Sequence, residues 1–265
     1  LVTMEWWDDL WLNESFANMM EYVAIDAIEP DWHIWEQFSV SEAPMALNRD
    51  AIDGVQSVHV AVSHPDEINT LFDGAIVYAK GARLMVMLRK WLGDTDFSAG
   101  LHAYFDVHQY GNTVGRNLWD ALSAASGRDV SAFMTSWIEQ PGYPVLSVSV
   151  ENDELVLRQQ QFFTGEGVDQ GRLWQIPLNT NWTGLPDVLS EAEVRIPGFA
   201  ALSAENGDKP LLFNAQNAAH YLVKYDAELT EKVTAAVPTF DTITKVQLIQ
   251  SALKLAEGGL SDYAD

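Results

Sequence analysis

Apolar residues recur at three- and four-residue intervals near the start of the chain. Leu12, Phe16, Met19, Met20, Val23 and Ala27 fall on one stripe at 100° per residue, which predicts an amphipathic helix. "PDWHIWEQFSVSEA" predicts a second helical stretch, with Asp31 as its cap beside Pro30. "DAIDGVQSVHVAVSHPDEI" reads as irregular to extended, with turns at Asp53-Gly54 and His64-Pro65. "AIVYAKGARLMVMLRKWLG" then predicts a strong helix closed by Gly93, its stripe made by Val77, Leu84, Met85, Leu88, Trp91 and Leu92. Gly81 falls on that stripe. A glycine there costs about 1 kcal/mol relative to alanine, so close packing against another backbone is the expected compensation. "FSAGLHAYFDVHQY", "RNLWDALSAASG" and "VSAFMTSWIEQ" complete an array of short helices, with Gly127 as a helix stop.

At "PGYPVLSVSV" the period changes from 3.6 to 2. Leu146, Val148 and Val150 alternate, Asn152-Asp153 offers a turn, and Leu155 and Leu157 resume the alternation. Extended segments continue through "LWQIPLNTNW", "EAEVRIPG", "KPLLFNA" and "AHYLVKYD", and from about residue 227 the pattern is helical again. The expected organisation is α+β and multi-domain: a helical region over 1–141, a small all-β domain, a sandwich, over 142–226, and helices over 227–265. Neither a tandem repeat nor a low-complexity linker interrupts it.

Composition changes this picture little. The chain has 265 residues, 48% of them hydrophobic and 20% charged, as in ordinary globular proteins. Lys and Arg number 15 against 38 Asp and Glu, a formal net charge of -23, which argues against nucleic acid and anionic membranes as partners. There is no cysteine, so disulfides and thiolate metal sites are excluded, and a reducing cytoplasm is the expected location. No apolar run approaches the roughly 20 residues that span a bilayer. The chain opens Leu-Val-Thr, and "LIQSALKLAEGGLSDYAD" starts a helical pattern that stops, so an internal fragment of a longer protein is expected, one that self-associates through apolar surface left uncovered.

Candidate chemistry is sparse. Glu14 lies in the first helix among Leu10, Trp11, Trp6 and Trp7, a turn apolar nearly all round. A carboxylate buried there must be hydrogen-bonded, paired, protonated or metal-bound. Spacing alone leaves open the commoner reading, a solvated or structurally paired side chain beside Asn18 and Glu21. The six histidines (His33, His59, His64, His102, His108, His220) form no H-E-x-x-H pair, and no G-x-S-x-G, P-loop or G-x-G-x-x-G is present.

The motifs themselves narrow the choice. "LVTMEWWDDLWLNESFANMMEYVA" resembles the segment after the zinc-binding H-E-x-x-H in the aminopeptidase N family of gluzincin metallopeptidases, with Ser15 where the family usually has Gly. "FDGAIVYAKGARLMVML" resembles that family's F-D-x-I-x-Y-x-K-G-A-x-x-L-x-M-L. "WIEQPGYPVLSVSV", "WQIPL" and "LLFNAQNAAHYLVKYD" look like its junction and β-sandwich, so the resemblance covers essentially the whole chain, in order.

The resemblance implies the helical C-terminal half of a thermolysin-like catalytic domain, then a β-sandwich, then the first helices of a truncated α-helical domain. It implies that Glu14 is the third zinc ligand and that Tyr78 stabilises the tetrahedral intermediate. Asp9 and Asn13 become candidates for supporting roles, Asp9 more simply as an N-cap. The family's two zinc histidines, its general-base glutamate and its G-x-M-E-N motif fall upstream of Leu1. The implied parent is a zinc aminopeptidase acting on peptide N-termini, with one zinc ion that this chain alone does not retain and no activity by itself. The competing expectation is a non-catalytic relative that binds proteins through the β-sandwich.

Overall fold

The computed structural model describes residues 1–262, so the final three residues of the expected C-terminal helical region lie outside the described residues. The chain forms two compact units. One holds residues 1–50 and 54–141, the other residues 51–53 and everything from Gly142 onward.

The first unit is helical. A two-residue strand β1 (Thr3–Met4) leads through a 3-10 turn into α1 (Leu10–Ile28). The buried face of α1 is not the expected stripe. Trp11, Ser15 and Met19 are buried with Leu10 and Leu12, whereas Phe16, Met20 and Val23 are half-buried and Ala27 is exposed. The face is rotated because a second helix approaches so closely at Ser15 that only a small side chain fits.

Asp31 caps nothing: Pro30–Trp32 is a 3-10 turn, and the next helix starts after His33 in the left-handed conformation without a side-chain cap. The expected second helix is split into α2 (Ile34–Val40) and α3 (Glu42–Asp50). The irregular stretch that follows carries Gly54 at φ +79°, and His64-Pro65 opens a 3-10 helix over Pro65–Leu71 instead of a turn.

The strong helix has two parts. Gly74–Lys80 is a π-helix, which runs directly into α4 (Gly81–Leu92), stopped by Gly93 at φ +83°. Ala82, Arg83 and Met87 are buried along with Leu84, Met85, Leu88 and Leu92 of the expected stripe, while Trp91 is half-buried, so most of α4 is enclosed. α5 (Asp94–His108), β2 (Asn112–Thr113), α6 (Gly115–Ser126) and α7 (Val130–Ile138) complete the unit, with β2 pairing in parallel with β1. Gly127 ends α6 at φ +70°, as its position predicted. Trp11 stacks on Trp119 with ring centroids 5.9 Å apart, and Trp91 on Phe133 at 4.0 Å.

The second unit is built on a hairpin of β3 (Pro144–Glu151) and β4 (Glu154–Gln161). Val148 faces Leu157 and Val150 faces Leu155 across it, and Asn152 and Asp153 form the turn with φ of +52° and +62°. After a short ladder of β5 (Ile176–Pro177) and β6 (Val188–Leu189) come β7 (Glu193–Pro197), α8 (Phe199–Glu205) and β8 (Leu222–Tyr225). The four-stranded sheet has the order β7-β4-β3-β8, with β8 parallel to β3.

"KPLLFNA" is not a strand: Leu211, Leu212 and Phe213 are buried in irregular backbone, which Asn214 turns at φ +53°. α9 (Ala227–Ala236) and α10 (Thr242–Glu257) begin at Asp226 and Asp241, whose carboxylates accept from Leu229 N and Thr244 N at 2.9 Å.

Candidate functional site

The two residues singled out by motif lie together in the first unit. Glu14 is carried by the second turn of α1, Tyr78 by the π-helix before α4. The π-helix starts at Asp73, whose Oδ1 accepts from Ala75 N at 2.9 Å while its Oδ2 accepts from Arg49 Nε at 3.0 Å. Its wide turn carries through to Gly81, whose N–H bonds back to the Ile76 carbonyl five residues earlier.

Gly81 then lets α1 in. A Cβ at this position would lie 1.9 Å from Ser15 Oγ and 2.6 Å from Ser15 Cβ, so no other residue fits without movement. The expected close approach to another backbone is found here: Ser15 Cα would be 3.6 Å from that Cβ. The buried Ser15 hydroxyl donates to the Val77 carbonyl oxygen at 2.6 Å. One bond therefore ties the residue after Glu14 to the residue before Tyr78.

At that crossing the Tyr78 hydroxyl lies beside the Glu14 carboxylate, and both residues are half-buried. The Tyr78 pKa is raised, first by burial, then by the neighbouring Glu14 carboxylate and its negative charge. The phenol is therefore a protonated donor at neutral pH. A carboxylate and a donor of this kind, side by side and reachable from solvent, can share a ligand or a reacting oxygen.

Asp9 does not cap its own helix. Its Oδ2 accepts from Gly115 N at 3.1 Å, which caps α6 instead. Asn13 is exposed. Asp8, unremarked in the sequence, accepts from Val62 N at 2.7 Å and anchors the irregular stretch beside this turn.

The histidines are dispersed. His59 Nδ1 meets Glu139 at 3.0 Å, His64 caps the 3-10 helix through its Nδ1, and His108 lies against Tyr104. Among the described residues, no three of His, Cys, Asp and Glu are grouped so as to hold a metal ion. These residues offer a metal one carboxylate, which is less than the three protein ligands of a catalytic zinc. Glu14 can therefore supply at most one ligand of such an ion.

Sequence reasoning missed a second pair next to this crossing. Lys80, at the end of the π-helix, and Asp50, at the end of α3, form an ion pair with both side chains fully buried. The available signal was two cations, Lys80 and Arg83, within the largely apolar "AIVYAKGARLMVML".

A model of the peptidase family M1 domain matches residues 1–137. Across all 265 residues the chain is 65% identical to an aminopeptidase N of Lactococcus lactis subsp. lactis, of which it covers 31%. It is 52% identical to aminopeptidase N of Lactobacillus delbrueckii subsp. lactis, again over 31% of that protein. Over 263 residues, 98% of this chain, it is 36% identical to a tricorn protease-interacting factor of Thermoplasma volcanium, covering 32% of it. The chain thus spans about a third of the length of the curated relatives it matches.

Proposed function

The chain belongs to peptidase family M1, and from that premise we propose that it carries one wall of the active site of a zinc-dependent aminopeptidase, which removes N-terminal amino acids from peptides. The observation that carries this reading is the Tyr78–Glu14 contact at the crossing of α1 and the π-helix. The name aminopeptidase N borne by relatives 52–65% identical to the chain supports the substrate class.

In this reading Glu14 is one ligand of a zinc ion whose remaining ligands are not among these 265 residues. When bound, zinc supplies Lewis-acid polarisation of the scissile carbonyl and a water of lowered pKa. The chain's own residues do the rest. Burial and the packing of α1 against α4 hold the Glu14 carboxylate in one place. The protonated Tyr78 hydroxyl turns from Glu14 to the carbonyl oxygen and donates a hydrogen bond as negative charge develops there. Without an H-E-x-x-H the 265 residues by themselves are inactive. The lack of cysteine supports a cytoplasmic location.

The test pairs two variants of the full-length enzyme that carries these residues. Tyr78→Phe keeps the ring and removes the donor. It is expected to lower kcat on the order of 10²-fold or more, with KM and zinc content little changed. Glu14→Ala is expected to lose activity together with zinc. Near-normal kcat in the first variant, or full zinc occupancy in the second, returns that residue to a structural role.

A further inference from the structure

The buried pair of Lys80 and Asp50 has no part in the chemistry proposed above. Lys80 Nζ lies 2.9 Å from Asp50 Oδ2 and 3.1 Å from Oδ1, and both side chains are 0% exposed. Stability alone is a weak reason for such a pair, because apolar residues of similar volume commonly serve as well. Its location is also unfavourable for one partner. Asp50 is the last residue of α3, where the helix dipole disfavours a carboxylate.

The pair does, however, fasten one feature. Lys80 is the final residue of the π-helix, two residues after Tyr78. Relative to an α-helix, a π-turn accommodates one extra residue, and π-turns are seldom stable without tertiary support. If the turn relaxed to α-helical geometry, Tyr78 would swing around the axis by one residue, about 100°. Its hydroxyl would then leave Glu14. The turn is held at its start by Asp73, in its middle by Ser15 on the Val77 carbonyl, and at its end by Lys80 on Asp50. The first of these holds is a helix cap and the second a single neutral hydrogen bond. Asp73 also meets Arg49 of α3 across an ion pair, but that pair is solvent-accessible, whereas the Lys80–Asp50 pair is fully buried, where the low dielectric of the core strengthens the attraction.

We propose that Asp50 and Lys80 are positioning residues, whose buried ion pair holds the π-turn and so aims the Tyr78 hydroxyl at the reaction site beside Glu14. This rests on the reading of Tyr78 as the oxyanion donor.

Lys80→Met alone would take the ion-pair partner from a buried carboxylate, so the test is the double variant Asp50→Leu/Lys80→Met, which removes both charges and keeps the core filled. It is made in the full-length enzyme beside Tyr78→Phe. Expected for the double variant are a Tm and zinc content like those of the parent, KM within about twofold, and kcat lower by at least about tenfold. Amide hydrogen exchange over Tyr78–Ala82 should accelerate while the remainder of α4 stays protected. Unchanged kcat in the double variant, with kcat lowered in Tyr78→Phe, overturns the positioning role and leaves the Tyr78 reading intact. Loss of zinc, or a rise in KM matching the fall in kcat, also overturns it, because the damage is then general. If Tyr78→Phe itself leaves kcat unchanged, the Tyr78 reading fails and the positioning role falls with it.

Discussion

Gly81→Ala isolates the contact on which the site is built. In an ordinary helix interior this change would stabilise by about 1 kcal/mol, since alanine loses less backbone entropy than glycine. Here the added Cβ would meet Ser15 Oγ at 1.9 Å and Ser15 Cβ at 2.6 Å, distances that real Cβ atoms do not show. α1 and α4 must separate, or Ser15 must turn away. Overpacking of this kind costs about 1–3 kcal/mol. The 2.6 Å bond from Ser15 to the Val77 carbonyl goes with it, a further loss of about 1 kcal/mol. After the propensity gain, the net expectation is a destabilisation of about 1–3 kcal/mol.

The partner substitution gives the control. In a Ser15→Gly background the two nearest atoms are gone and only the Ser15 backbone remains, at 3.6 Å, an ordinary contact. Gly81→Ala should then be neutral, or stabilising by up to about 1 kcal/mol. The double-mutant cycle therefore carries a coupling energy of about 1–4 kcal/mol. Urea unfolding of the four proteins, followed by tryptophan fluorescence and circular dichroism, measures it. Additive effects, or a Gly81→Ala protein as stable as its parent, would refute the close crossing of α1 and α4.

Asp9→Ala should destabilise by about 1 kcal/mol. Amide exchange should quicken at the start of α6 and not of α1, because the carboxylate caps Gly115. On the sheet, Arg158 and Arg195 hold the Glu151 carboxyl down to about 2. Its contribution to stability is present above the ordinary carboxylate pKa and is lost as pH falls toward 2. Glu151→Gln should thus lower Tm at pH 7, with the difference vanishing near pH 2 in thermal scans across that range. Metal analysis of the desalted 265-residue chain should find well under one zinc per molecule, since Glu14 supplies a single ligand. A stoichiometric, chelator-resistant ion would require another donor set.

The local pattern determined the elements whose information is local. The 3.6-residue period predicted the helices of the first unit. Strict alternation on both sides of Asn152-Asp153 predicted the β3–β4 hairpin, because a two-residue turn and a period of 2 together fix the register. Glu14 and Tyr78 were legible as motif residues, although spacing alone left Glu14 open to a structural reading.

Other features depended on partners distant in sequence. The buried side of α1 was decided by where Gly81 lets α4 approach, and the capping target of Asp9 by the arrival of Gly115, 106 residues away. The π-turn is not legible in the sequence, because "GAIVYAK" is mostly apolar and one inserted residue leaves no clear break in the hydrophobic pattern. Strand β8 reaches β3 in parallel only through a long connection, while "KPLLFNA" is buried without ladder partners among the described residues. The Lys80–Asp50 pair joins the ends of two elements 30 residues apart. A charge in an apolar helix can be read from sequence as needing a partner, but which carboxylate meets it is fixed only when the helices pack.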